Sequence, residues 1–147
     1  MRSVRLDFQA HGVAAADAYA RIRDFARYPD LVDTVRKVTV HPTLDDGSLH
    51  SDWEVDFRNG VLAWSEEDVF DDGALSISFR QLHGDFEAFD GAWSVEGSGD
   101  GARVAFTAGF DFGLPTLANI VDPVAERVLR ETIEHILRAL LGAGEVL

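Results

Sequence analysis

Glu66 and Asp68 are the residues whose type and spacing most directly suggest chemistry. They stand in Val61 to Phe70, a stretch that alternates at period two. One face of that strand carries Leu62, Trp64, Glu66, Asp68 and Phe70; the other carries Val61, Ala63, Ser65, Glu67 and Val69. The bulkier set belongs inside, which puts both carboxyls on an inner wall, about 7 Å apart along the backbone. Two carboxyls that close in an apolar place split their affinities for protons, and one moves towards neutrality. Such a group can take a proton from a carbon next to a carbonyl and assist loss of water. The competing reading is an acidic strand near the sheet edge, or a pair neutralised by Arg80 or Arg58.

The elements that must position this pair form a run of hairpins. Asp46-Gly47, Asn59-Gly60, Asp72-Gly73, His83-Gly84 and Gly97-Ser98-Gly99-Asp100-Gly101 are turn signals, and hydrophobic period-two segments lie between them. With Val35 to His41 before them, these read as six antiparallel strands. Leu49, Ser51, Trp53, Val55 and Phe57 share an inner face in the strand preceding the acidic one. Later strands put Leu75, Ile77, Phe79 and Gln81, then Phe89, Gly91, Trp93 and Val95, then Val104, Phe106, Ala108, Phe110 and Phe112 inward. Gly91 and Ala108 are small among aromatics, so they are expected to lower the wall and leave room.

Before the hairpins, Val4, Leu6 and Phe8 mark a first strand, and Ala14 to Phe25 has helical spacing. Arg27-Tyr28-Pro29-Asp30 interrupts it, and a second short helix carries Leu31, Val32 and Val35. After them, Leu117, Ile120 and Val121 suggest a helical turn. Asp122 reads as an N-cap with Pro123 at the first position of a helix that Gly142 stops. Its buried stripe reads Val121, Val124, Ala125, Val128, Thr132, Ile136 and Leu140. The fold class is α+β, order βααββββββα, in one domain over residues 1–147.

That order resembles the START-like helix-grip superfamily, in which seven antiparallel strands wrap a long C-terminal helix and hold an apolar ligand. "RDFARYPDLVDTVRKV" (Arg23 to Val38) and "LHGDFEAFDGAWSVEGSGDGARVAFTAGFDF" (Leu82 to Phe112) are similar to segments of its polyketide cyclase/dehydrase group, the second also to coenzyme-Q-binding proteins. The resemblance implies a polyketide cyclase or aromatase that binds a hydrophobic polyketide or aromatic molecule and promotes cyclisation and dehydration. The alternative is a non-catalytic carrier of a lipid, quinone or polyketide product. On the aromatase/cyclase strand, Trp64 matches a Trp, while Glu66 and Asp68 replace a hydroxyl residue and an Arg. Tyr28 matches a pocket aromatic before a proline. The catalytic set expected is Glu66, Asp68 and Tyr28. Expected to bind substrate are Trp53, Trp64, Arg80, Phe89, Trp93, Phe106, Phe110, Thr132 and His135. Tyr28 and His135 serve equally as packing or structural residues, and Arg80 as a solvated one. An acyl carrier protein is the implied donor of a substrate, to a monomer or homodimer.

Composition removes other classes. Twenty-six acidic against 13 basic residues give a net charge of -13, which repels nucleic acid and anionic lipid. With no cysteine, disulfide and thiolate chemistry are excluded. The histidines His11, His41, His50, His83 and His135 show no HxH or HExxH spacing, so no metal is expected. Neither a phosphate loop nor a Gly-x-Ser-x-Gly elbow is present, and no cofactor is implied. No apolar run reaches ~18 residues, and no h-region follows the N-terminus, so the expected location is the cytoplasm.

Overall fold

The structure is a computed structural model. It describes residues 2–57, 60–111 and 115–147, the side chains of the last segment from 124 onward. Strand β1 (Arg2–His11) leads to helix α1 (Ala15–Arg23), a 3-10 turn (Phe25–Arg27) and a one-turn helix α2 (Tyr28–Leu31). Six strands follow: β2 (Val35–Val40), β3 (Leu49–Phe57), β4 (Gly60–Asp71), β5 (Ser76–Gly84), β6 (Ala88–Ser98) and β7 (Gly101–Asp111). Helix α3 (Pro115–Leu141) and strand β8 (Gly144–Val146) close the chain. This is the expected α+β helix-grip arrangement: an antiparallel sheet in the order β2-β3-β4-β5-β6-β7-β1-β8, with α3 packed on β1 and β7.

Three features differ from the sequence reading. Val32 and Val35, expected in the second helix, lie beyond α2, and Val35 opens β2. The sheet has eight strands rather than seven, because residues after α3 turn back and pair with β1, Phe8 opposite Val146. Three residues are too few to carry a period-two pattern. Helix α3 also begins at Pro115 and runs through Asp122-Pro123, where an N-cap was expected. The helix formers on both sides outweigh one missing amide donor. Arg58, Asn59, Phe112 and the Gly113-Leu114 pair lie outside the described residues, as do the side chains of Leu117, Ile120, Val121 and Asp122.

The parity of β4 is as read: Glu66 and Asp68 point inward, and Val61 and Val69 are exposed. A bulge does occur beside it, but in β5. Ser65 faces His83 and Glu66 faces Gln81, so Leu82 is the extra residue and β4 keeps its alternation.

Gly91 does not leave room for a ligand. A Cβ there would stand 2.1 Å from the Thr107 carbonyl oxygen and 2.8 Å from the Phe79 ring. The space is already filled by Phe79 and by the backbone of β7. Gly91→Ala is therefore expected to lower stability by about 1–3 kcal/mol, read by chemical denaturation, because backbone on β7 cannot rotate away.

The β8 pairing has its own charge latch. His11 Nδ1 meets Asp100 Oδ1 at 2.8 Å and its Nε2 meets Glu145 Oε2 at 2.7 Å. Hydrogen bonds to Asp100 and Glu145 push the imidazole up from 6.5 to about 9. The folded value is raised, so the latch is complete below 6.5 and is lost as pH rises through about 9. Amide-exchange protection at Leu147, whose N–H bonds the Asp7 carbonyl, should fall across that window and stay level in His11→Ala.

Candidate functional site

The site lies where the inner faces of β3 to β7 meet α3. Register brings Trp53 of β3 opposite Trp64 of β4, and Ser51 opposite Glu66. The two indoles stack with ring centroids 6.0 Å apart and planes 2° from parallel. Each indole N–H feeds the acid pair. Trp64 Nε1 donates to Glu66 Oε1 at 2.7 Å. Trp53 Nε1 donates to Ser51 Oγ at 2.8 Å, and Ser51 Oγ donates to Asp68 Oδ2 at 2.6 Å.

Glu66 is 5% exposed and Asp68 0%. Burial pushes the Glu66 carboxyl well above the usual carboxylate range, and the neighbouring Asp68 adds to the rise. Burial raises Asp68 too, while Glu66 and Ser51 hold it back. Asp68 Oδ1 meets no fixed N–H or O–H donor. A protonated neighbouring Glu66 would carry the O–H that such an acceptor lacks. The geometry thus calls for a proton on the pair.

Glu66 borders a cavity of about 60 Å³. Its walls are Trp53, Trp64, Phe79, Phe86, Phe89, Trp93 and Phe106 from the sheet side, Phe25 and Tyr28 from the helix junction, and Leu129, Thr132, Ile133 and Ile136 from α3. Phe86 and Phe89 stack at 4.4 Å and meet Trp64 edge-on. Among the described lining residues Glu66 is the single carboxyl, and none is Lys, Arg or His.

Residues 12–137 match the family described as polyketide cyclase / dehydrase and lipid transport. The chain belongs to this family. None of the curated proteins matches. Several solved structures share the fold. TTHA0849 from Thermus thermophilus aligns with a TM-score of 0.84 at 22% identity, over 95% of this chain and 94% of that one. The Zhui aromatase/cyclase from Streptomyces sp. R1128 aligns at 0.78 and 17%, over 96% and 93%. A START superfamily protein from Mycobacterium smegmatis aligns at 0.76 and 18%, over 96% and 94%.

Within this polyketide cyclase / dehydrase fold, Trp53, Trp64, Phe89, Trp93, Phe106 and Thr132 stand on the cavity wall with Glu66. Asp68 stands behind Glu66. Tyr28 lines the cavity, but its hydroxyl donates to the Ile22 carbonyl at 2.6 Å, and burial beside Glu66 and Asp68 raises the phenol far above its ordinary value. Its proton holds α1 to α2. Phe110 is fully buried against Phe86 and is not among the lining residues. Arg80 and His135 are displaced from the expected set. Arg80 is 63% exposed on the outer face and pairs with Glu67, because it alternates with the buried Ile77 and Phe79. His135 is 48% exposed and meets Asp33, since the buried stripe of α3 runs through Leu129, Ile133, Ile136, Leu137 and Leu140.

Sequence reasoning missed Ser51 and Phe86 as site residues. Ser51 carried a signal: one hydroxyl in an otherwise apolar inner row, beside the acidic strand. Phe86 carried none, since it sits in a connection. Both its backbone groups are bonded by the Gln81 side chain, which turns the ring inward. Among the described residues no cluster of His, Asp and Glu stands close enough to hold a metal ion. No described helix is long and apolar enough to cross a membrane.

Proposed function

We propose that this protein binds a hydrophobic polyketide or aromatic molecule in the cavity and promotes its cyclisation and dehydration, with Glu66 transferring the proton. The observation that carries this reading is one protonatable carboxyl aimed into an otherwise apolar, aromatic-walled space, with a second carboxyl behind it. Burial of both carboxyls favours one proton on the pair. With that proton on Asp68, Glu66 is a carboxylate base in a water-poor site. It removes a proton from the carbon beside a ketone. The C–H electron pair forms the new C=C bond as the C–O bond at the β carbon breaks. The departing hydroxide takes the proton from Glu66 and leaves as water. Ser51 and Trp53 keep Asp68 fixed, and Trp64 keeps Glu66 pointed at the space. The walls supply orientation.

The test is dehydration of a simple β-hydroxy ketone of single-ring size, 3-hydroxycyclohexanone, followed by the absorbance of the enone. Turnover above buffer supports the reading. No turnover at acidic, neutral or alkaline pH removes the catalytic part.

A carrier reading is favoured by a separate observation. The phenol of Tyr28 and the indole N–H groups of Trp53 and Trp64 are already bonded within the protein, which leaves the lining few free polar groups. Native mass spectrometry of the purified protein, followed by solvent extraction, decides for it if a stable aromatic, quinone or lipid is recovered.

A further inference from the structure

We propose that the cavity takes a neutral molecule of single-ring size that presents a hydroxyl group (phenol, enol or alcohol) to Glu66, and that anionic analogues are excluded. This rests on the cavity-binding part of the proposed function and names the ligand class for it.

Size comes first. The free space is about 60 Å³. A dry apolar protein cavity that admits benzene measures about 150 Å³. Admitting even one ring therefore already requires side chains around this space to rotate, which favours the smallest ring ligands. Two fused rings require α3 to part from the sheet, which means breaking the packing of Leu129, Ile133 and Ile136.

Charge comes second. An anion entering the cavity meets a carboxyl pair and the faces of Trp53, Trp64 and Phe89, whose π clouds are negative. No cation stands on the described lining to receive it, and an unpaired buried charge is strongly disfavoured.

Hydrogen bonding comes third. Two carboxyl oxygens offer about four acceptor positions. The Trp64 indole takes one on Oε1, and Asp68 stands as the neighbouring carboxyl. Acceptor positions on Glu66 remain, while the Tyr28 hydroxyl and the Trp53 and Trp64 indole N–H groups are used elsewhere. A ligand O–H fits there. An ammonium group brings three donors and finds Glu66 as the one carboxyl on the described lining, with the Thr132 hydroxyl its remaining uncommitted polar neighbour.

The experiment is titration of the intact protein at neutral pH with phenol, benzene, benzoate, benzylammonium and 2-naphthol. The indole N–H signals of Trp53 and Trp64 are followed by NMR. Both indoles line the cavity, so their shifts report entry directly. Phenol should bind at least about tenfold more tightly than benzene, and benzoate about 100-fold more weakly than phenol. Glu66→Gln should bring benzoate to within about tenfold of phenol, because an amide N–H can meet a carboxylate. Benzoate equal to phenol, benzylammonium tighter than phenol, or 2-naphthol tighter than phenol each overturns the proposal. If no probe moves either indole, the cavity reading falls with it. If the probes rank as stated and the β-hydroxy ketone is not dehydrated, the proposed catalysis fails and the ligand class stands.

Discussion

Glu66→Gln should lower dehydration of the β-hydroxy ketone by about 10²–10⁴-fold while phenol still shifts the Trp53 and Trp64 indole signals. The substitution is nearly isosteric. The amide oxygen can accept the Trp64 N–H that Glu66 Oε1 now accepts at 2.7 Å, so the wall keeps its shape. What disappears is the ability to take and return a proton. Asp68→Asn should act in the same direction, because Glu66 becomes a base only when its proton can pass to Asp68. It should also shift the pH at which the remaining activity rises, which a packing role alone does not do. Trp64→Ala separates wall from acid. It removes the stack on Trp53 and the edge contacts with Phe86 and Phe89, so probe affinity falls along with turnover. If Glu66→Gln leaves the rate unchanged and Trp64→Ala weakens uptake, the protein is a carrier.

The acid pair and its wall were legible in the sequence because β4 mixes bulky apolar residues with carboxyls at one parity. Leu62, Trp64 and Phe70 fix which face is inside, and Glu66 and Asp68 follow at period two. The helix-grip order was legible for a similar reason, since each hairpin has its glycine turn and α3 its long apolar stripe. That stripe holds at Ala125, Ile136 and Leu140 and is one residue early at Val128 and Thr132, where Leu129 and Ile133 are the buried members. Val124-Ala125, Val128-Leu129 and Thr132-Ile133 are adjacent residues on the inward side, and their periodicity does not say which member of each pair faces the sheet. The structure buries Ala125, Leu129 and Ile133 most deeply. Features set by pairing or side-chain contacts rather than by periodicity left no trace in the pattern. Pairing with β1 defines β8, the Gln81 side chain turns Phe86 inward, and the Phe79 ring occupies the space that Gly91 opens. Arg80 could have been placed outside from its own alternation with Phe79. His135 stood next to the stripe, and the pairing with Asp33 comes from the α2–β2 connection, over a hundred residues away.

The same substitution should raise stability at neutral pH, and the dependence on pH identifies the cause. The Glu66 carboxyl is raised above its ordinary 4.5 mainly by burial. Between 4.5 and its folded value, the native state binds more protons than the unfolded chain. Stability therefore falls as pH rises through that window, and the buried carboxyl costs stability above 4.5, where the unfolded chain ionises freely. Asp68, raised above 3.8, has the same sign. Glu66→Gln cannot ionise. It should be more stable than the parent by about 1–4 kcal/mol at neutral and alkaline pH, a rise of roughly 2–4 °C in Tm for each kcal/mol. The gap should close as pH falls towards 4.5 and be absent below it. Glu67→Gln is the matched control. Glu67 lies one residue away on the outer face, paired with Arg80 and His50, and its loss should move Tm little at any pH. Melting curves across pH for the parent and both variants measure this directly. A parent more stable than Glu66→Gln at neutral pH would mean that the ionised pair is structurally favoured, with Glu66 serving as an anchor for Trp64. A parent less stable there, yet more active, means that the fold retains an unfavourable buried acid for its chemistry.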